Sequence, residues 1–426
     1  MACAPAASPH VNPLPERAHG SAALRARIDS LIGSPVFRTA EWAILAVNPE
    51  RGDTIYAHNP ALLMVPASNM KIITSSVALT QLGSGFRFTT TFSAHGTISN
   101  GVLNGDLVVT GRGDPTLSDH MRGSARAAMD TLADSIVAHG VHAINGHIYS
   151  GADNFPGPHV GEGWDWDDLN TSDGAGVDEL LFNEGMSRVV VRGANGDSVV
   201  NSAPATDPTQ DYLRELDLAL QARGVRTGLG VGENLVPHDA VRLDTMFVAR
   251  SVPLREILPY FLKPSQNQMG EVLMRTIGLE RAGVGTADSG IAVAKRQLTA
   301  WGIPPDGYEM HDGSGMARAD LISPETIVRI FDRMRASPDF SVFYDALPIA
   351  GVDGTIARRM GGTPAANNVH AKTGSLHWVR SLSGYVTDAD GERLIFSVLA
   401  NKWTTPSSAV TTTADSIAAA LASYRR

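Results

Sequence analysis

The chain has 426 residues, 43% of them hydrophobic and 19% charged, and carries a formal charge of −9. That length exceeds what one core supports and implies two or more domains, while an acidic balance with no basic run interleaved with aromatics excludes a nucleic-acid partner. No apolar run reaches the length of a membrane span, and the single cysteine, Cys3, excludes an internal disulfide and every multi-cysteine zinc pattern.

Residues 1–20 are rich in Pro, His and Ala and read as a disordered tail. They lack the basic start and apolar segment of an export signal, which leaves a cytosolic protein or a mature, exported one. The Ala2-Cys3-Ala4 start resembles the processed end of a bacterial lipoprotein and makes Cys3 a candidate lipid anchor. Ser21 to Ile32 has helical periodicity, Glu41 to Val47 reads as a buried strand, and Thr54 to His58 returns after a turn. A helix beginning near Ser68 runs through Val77 and Leu79 and stops at Leu82-Gly83-Ser84-Gly85. Its early residues Met70, Ile72 and Ile73 are apolar, which places it centrally.

From Phe86 the texture changes to short β-like runs, at Phe88 to Phe92, Gly105 to Thr110, Gly146 to Ser150 and Arg188 to Val191. Helical stretches at Ala127 to His139 and Tyr212 to Arg223 interrupt them. Arg112-Gly113-Asp114 and Gly228-Leu229-Gly230-Val231-Gly232 are turns; the second lacks the spacing and flanking βαβ unit of a dinucleotide site. From Leu254 helices return, at Glu271 to Gly283, Gly290 to Gly302, Pro324 to Arg335 and Ser407 to Ser423. Strands at Val369 to Lys372, Val379 to Val386 and Arg393 to Leu399 lie among the last of them. Strands at both chain ends with helices between predict an α+β fold whose main domain is discontinuous, built from 21–85 and 249–426. Residues 86–248 are then an inserted α+β region of two small subdomains.

Within this layout, Ser68 and Lys71 stand three residues apart, one turn of the same helical face. A lysine kept neutral there takes the proton of the serine hydroxyl, and the nearby helix N-terminus favours developing negative charge. The chain has five lysines against thirty arginines, so a lysine at this position is a choice of a base over a permanent cation. Two further motifs follow. Lys263-Pro264-Ser265-Gln266-Asn267 offers a hydroxyl and a carboxamide at a turn before a helix. His370-Ala371-Lys372-Thr373-Gly374-Ser375 puts a lysine and a threonine at a strand end beside a glycine that lets a ligand approach the backbone.

In the order Ser-x-x-Lys, Ser-x-Asn, Lys-Thr-Gly, these motifs resemble those of the penicillin-interacting active-serine enzymes. The long insertion between residues 68 and 265 is unlike class A β-lactamases. It is similar to the D-alanyl-D-alanine carboxypeptidases/endopeptidases of the penicillin-binding protein 4 type. So are Gly111 to Leu117, Gly163 to Asp168, Asp312-Gly313-Ser314-Gly315 and Gly351-Val352-Asp353-Gly354-Thr355, and the resemblance runs from about Leu31 to the C-terminus.

The resemblance implies a β-lactamase/transpeptidase-like domain, an antiparallel sheet flanked by helices, located in the periplasm or cell envelope. It implies peptidoglycan stem peptides as substrates, β-lactams as covalent inhibitors, and neither cofactor nor metal. Ser68 is then the nucleophile, Lys71 its base, and Ser265 the relay to the leaving group. Lys372, with Thr373, holds the terminal carboxylate, and Lys372 and a dry cleft together keep Lys71 neutral. Asn267 holds the substrate amide, Gly374 gives backbone access, and the N–H groups of Ser68 and Ser375 form the oxyanion hole. A non-hydrolytic β-lactam or muropeptide receptor, or a β-lactamase or esterase, are the alternatives.

Asp167-Asp168-Leu169-Asn170 is similar to the water-activating loop of class A β-lactamases, but it precedes the Ser-x-Asn motif and uses Asp rather than Glu, so it is read as insertion lining the cleft. The thirteen histidines show no HExxH and no metal spacing, and no Gly-x-Ser-x-Gly elbow exists. Each histidine is read as a surface or satisfied core residue, with a position at the cleft border as the alternative for His377; Trp164 and Trp166 are read as packing, and Asp312 and Ser314 as a structural turn.

Overall fold

A computed structural model describes residues 22–192, 198–232 and 243–426. Cys3 and the tail lie outside the described residues. Five strands form an antiparallel sheet in the spatial order His370–Leu376, Val379–Thr387, Arg393–Asn401, Glu41–Asn48, Asp53–His58. Two strands come from the start of the chain and three from its end, joined where Trp42 pairs with Ala400 and Ile44 with Val398.

The run from Trp42 to Val47 is buried at every residue because both faces of this sheet are covered. Alternation sorts its side chains into two cores. Ala43, Leu45 and Val47 pack with Met70, Ile73 and Val77 and with residues of the helices Asn267–Ala282 and Pro324–Arg335. Trp42, Ile44 and Ala46 join Ile28 from the helix Ala22–Ile32 and Val410, Ile417 and Leu421 from the helix Ser407–Ala422.

The helix Met70–Leu82 is the central element. Every residue from Met70 to Leu79 is buried, so it is apolar around most of its circumference and has no solvent face for ten residues. Each fully buried isoleucine on it contributes roughly 1.5–3 kcal/mol. Gly83, at φ 86°, ends it.

A second sheet carries the strands Asp244–Arg250, Thr89–Ser99, Val102–Thr110, Ala143–Ile144 and Arg226–Thr227 in that order, with Ile148–Ser150 also on Val102–Thr110. The helices Ala125–Ala138 and Pro208–Gln221 cover it through a third core that includes Phe92, Leu107, Met129, Leu213 and Leu216. The strands are longer than their apolar runs suggest. Thr89–Ser99, for example, extends through polar residues whose backbone pairs as far as Ser99 with Val102.

Candidate active site

The helix Met70–Leu82 is preceded by a single 3-10 turn, Ala67–Asn69, so Ser68 sits where the chain enters the helix and Lys71 one turn inside it. Ala67 holds φ at 50°, an uncommon conformation for a residue with a Cβ, and this bend presents Ser68 to the cleft. Lys71 is fully buried. Its Nζ lies 2.9 Å from Ser68 Oγ, 2.6 Å from Asn267 Oδ1 and 2.7 Å from the Ser314 carbonyl. A neutral amine has two N–H donors and one lone pair. Asn267 and Ser314 take the two donors, and the lone pair is left to accept the Ser68 hydroxyl proton.

Ser265 precedes the helix Asn267–Ala282 and also has positive φ, 68°. Lys372, fully buried in the strand His370–Leu376, donates to Ser265 Oγ at 2.8 Å and to the Thr373 carbonyl at 3.0 Å. Thr373 Oγ1 meets Thr355 Oγ1 at 2.7 Å. All eight residues singled out by the motifs therefore fall in one region. Ser68, Ser265, Asn267, Thr373, Gly374 and Ser375 line a single cleft of about 230 Å³, and the two lysines stand behind its wall.

His370–Leu376 is the edge strand of its sheet. The Ala371 N–H bonds outward to Pro348 O at 2.9 Å. By the two-residue alternation of an antiparallel ladder, the N–H groups of Thr373 and Ser375 face the same outer side, toward the cleft. Gly374 lies against Ser68's own segment, where a Cβ would overlap the Ser381 hydroxyl and the Pro66 carbonyl. Asn69 Nδ2 donates to Lys372 O at 3.1 Å and Ser381 Oγ to Pro66 O at 2.7 Å, binding the helix start to the strand.

Burial lowers Lys71 from its ordinary value to about 8, against the opposing pull of Asp312, Glu271, Asp173 and Asp320. Lys372 is lowered well below its ordinary value, by burial first and then by Lys71. Of the two causes expected to keep Lys71 neutral, a dry cleft and Lys372, burial is the leading one for both lysines, and repulsion between the two ammonium groups adds to it. A bound carboxylate would restore charge to Lys372.

Asp312 is more than a turn. Its carboxylate accepts the N–H groups of Ser314, Gly315, Met316 and Ala317 and the Trp164 indole, which fixes the Ser314 carbonyl on Lys71. Behind it, burial and then Asp312 push Glu271 up to about 8. Sequence reasoning assigned no role to the Ser314 carbonyl or to Thr355, and left Asp173 unmentioned. Asp168 and Asp173 both line the cleft, and Asp173 O accepts from Asn267 Nδ2 at 3.1 Å. Trp166 is 75% exposed and is not a packing residue. His377 lines a neighbouring concavity with Trp378 and Arg380 rather than this cleft.

The family model described as the D-Ala-D-Ala carboxypeptidase 3 (S13) family matches residues 24–210 and 188–424. A D-alanyl-D-alanine carboxypeptidase from an Actinomadura species is 30% identical over 94% of this chain and 85% of its own length. A second, from Haemophilus influenzae, is 27% identical over 85% of each chain. Among solved structures, penicillin binding protein 4 from Haemophilus influenzae superposes with a TM-score of 0.82, at 23% identity, over 93% of this chain and 99% of that one.

Proposed function

The chain belongs to the D-Ala-D-Ala carboxypeptidase 3 (S13) family, and from that premise we propose how its residues cleave peptidoglycan stem peptides. As a family member it is a serine DD-peptidase; the assignment of roles to its side chains is our reading. The observation that carries it is the Ser68–Lys71 contact of 2.9 Å inside a pocket that depresses the lysine.

The substrate lies along the open edge of the strand His370–Leu376, extending the sheet by one strand. Lys372 and Thr373 hold its terminal carboxylate, and Asn267 the side-chain-bearing amide before the scissile bond. Ser68 Oγ attacks the carbonyl of the penultimate D-Ala as its proton passes to Lys71 Nζ. The oxyanion is held by the N–H groups of Ser68 and Ser375, each such donor being worth roughly 3 kcal/mol. Ser265, hydrogen-bonded to Lys372, relays the proton that Lys71 took from Ser68 to the departing D-Ala nitrogen, giving up its hydroxyl proton and taking one back, so that Lys71 returns to its neutral form. Water then hydrolyses the Ser68 ester. A β-lactam offers the same carboxylate and a strained amide whose leaving group stays tethered, so its ester on Ser68 persists.

Action on assembled cell-wall peptides supports the reading that the protein works outside the cytoplasm, in the periplasm or cell envelope. No helix among the described residues is long and apolar enough to cross a membrane. Residues 86–248 are read as an insertion into a domain made of 21–85 and 249–426.

The direct test is release of free D-Ala from a stem-peptide analogue ending in D-Ala-D-Ala. Turnover that stops in the Ser68→Ala variant is expected. Penicillin labelling without any D-Ala release would move the protein to the non-hydrolytic receptor reading. A second expectation concerns Gly374→Ala. The added methyl must part the strand edge from the Ser68 turn, and displacement of reacting groups by about 1 Å costs on the order of 100-fold. Acylation rate constants for a fluorescent penicillin, compared at equal circular dichroism, check it; an unchanged rate would show that the strand position is not critical.

A further inference from the structure

Away from the catalytic cleft, a concavity of about 220 Å³ opens between the second sheet and the helix Pro208–Gln221. His159, Asp178, Asp207 and Thr209 are among its lining residues. The first three each present one ligand atom, and these atoms lie within 4.8 Å of one another. His159 Nδ1 stands 3.4 Å from Asp178 Oδ2. Two donors each about 2.0–2.2 Å from a tetrahedral ion are about 3.4 Å apart, so this pair already has ligand spacing and Asp207 has a short distance to close.

Two independent observations point into the same space. His159 Nδ1 is enclosed by protein and has no hydrogen-bond partner. Thr209 is only 8% exposed, lines the concavity, and its hydroxyl is likewise unpartnered. Both carboxylates are oriented by a backbone N–H, and that of Asp178 also meets the carboxyl of Glu179. Asp207 Oδ1 accepts the Gln210 N–H at 2.9 Å as the helix cap, and Asp178 Oδ1 accepts the Glu179 N–H at 2.9 Å. Arg275 offsets part of the charge of Asp178 and Asp153 but is not among the lining residues.

We infer that His159, Asp178 and Asp207 bind one divalent transition cation of the zinc or manganese class, with the Thr209 hydroxyl and water filling the remaining positions. One imidazole with two carboxylates is the borderline donor set those ions take; calcium and magnesium favour oxygen alone. Local spacing rules in the sequence miss such a site because its ligands come from three separate segments.

The site has a consequence for the cleft. His159 and Asp178 stand at the two ends of the segment that carries Asp168 and Asp173 to the active site, and the Val177 N–H closes that neck on His159 O at 2.8 Å. A cation held there fastens the neck from outside the chemistry.

The test uses untagged, full-length protein stripped with a chelator, then titrated with zinc or manganese, with metal content after gel filtration and thermal midpoint as readouts. About one retained equivalent and a raised midpoint are expected. Asp207→Asn should weaken binding at least tenfold while keeping the helix cap, since asparagine caps as well as aspartate. His159→Ala should do the same, and if that variant fails to fold, Asp207→Asn alone decides. No retained ion, a response to calcium or magnesium only, or an equal response in Asp207→Asn would each overturn the assignment. Penicillin labelling of Ser68, measured alongside, reports on the catalytic reading and is independent of these outcomes.

Discussion

Replacing Ser68 by Ala abolishes covalent labelling by a fluorescent penicillin and leaves the fold intact. The substitution removes one oxygen from a half-buried position and introduces no new atoms. Lys71 keeps the Asn267 and Ser314 acceptors and loses only its contact with the Ser68 hydroxyl, so the stability change is about 1–3 kcal/mol. The Ser68 hydroxyl is the one held against Lys71 Nζ, whereas Ser265 Oγ is hydrogen-bonded to Lys372 and Thr373 Oγ1 to Thr355 Oγ1. Denaturing gels after incubation with the labelled drug give the answer directly. A variant labelled to the same stoichiometry as the parent would remove Ser68 from the mechanism.

Lys71→Arg separates charge from basicity and should slow acylation by about 10²- to 10⁴-fold, the usual contribution of a positioned general base. The parent enzyme supplies a second signature. Because burial brings Lys71 down to about 8, its neutral fraction at pH 7 is about a tenth, and it grows as pH rises through that value. Acylation at low penicillin concentration should therefore climb steeply from pH 6 and level off above about 8. In the arginine variant this rise should be absent. Stopped-flow labelling across that range measures both effects, and Lys71→Met, of similar bulk, controls for the strain of a buried guanidinium. A pH-independent parent rate would mean that another group receives the proton.

The residues that converge on the cleft were legible because their signals are local. A serine and lysine one helical turn apart, or a lysine and threonine followed by glycine at a strand end, need only secondary structure to be meaningful. What escaped reading depends on tertiary contacts made by groups without sequence identity. The Ser314 acceptor on Lys71 is a backbone carbonyl, placed by Asp312 through four N–H groups. Thr355, which meets Thr373, is itself held by its N–H on the Lys263 carbonyl at 3.0 Å, and Asp353 pairs with the Lys263 ammonium at 2.6 Å, so the lysine beside Ser265 has a structural task. A dry cleft and a second lysine were both readable as causes of a depressed Lys71; their ranking was not, because it depends on how deep the helix Met70–Leu82 lies in the core. That strands from both chain ends share a domain was readable from their hydrophobic runs, but strand order and strand length were not, the latter because polar residues at the tips pair through their backbones.

The sheet that frames the cleft joins residues from opposite ends of the chain: the Val65 N–H, beside the nucleophile, is bound by Asn401 at 2.9 Å across 336 positions of sequence. A ribosome-bound or partly threaded polypeptide consequently owns a serine and a lysine but no reactive centre, since the third motif is among the last parts synthesised. Closing so long a loop slows assembly far more than it weakens the finished structure. Return of drug reactivity after dilution from denaturant is therefore a clock for the last step of folding, set by the meeting of the two termini.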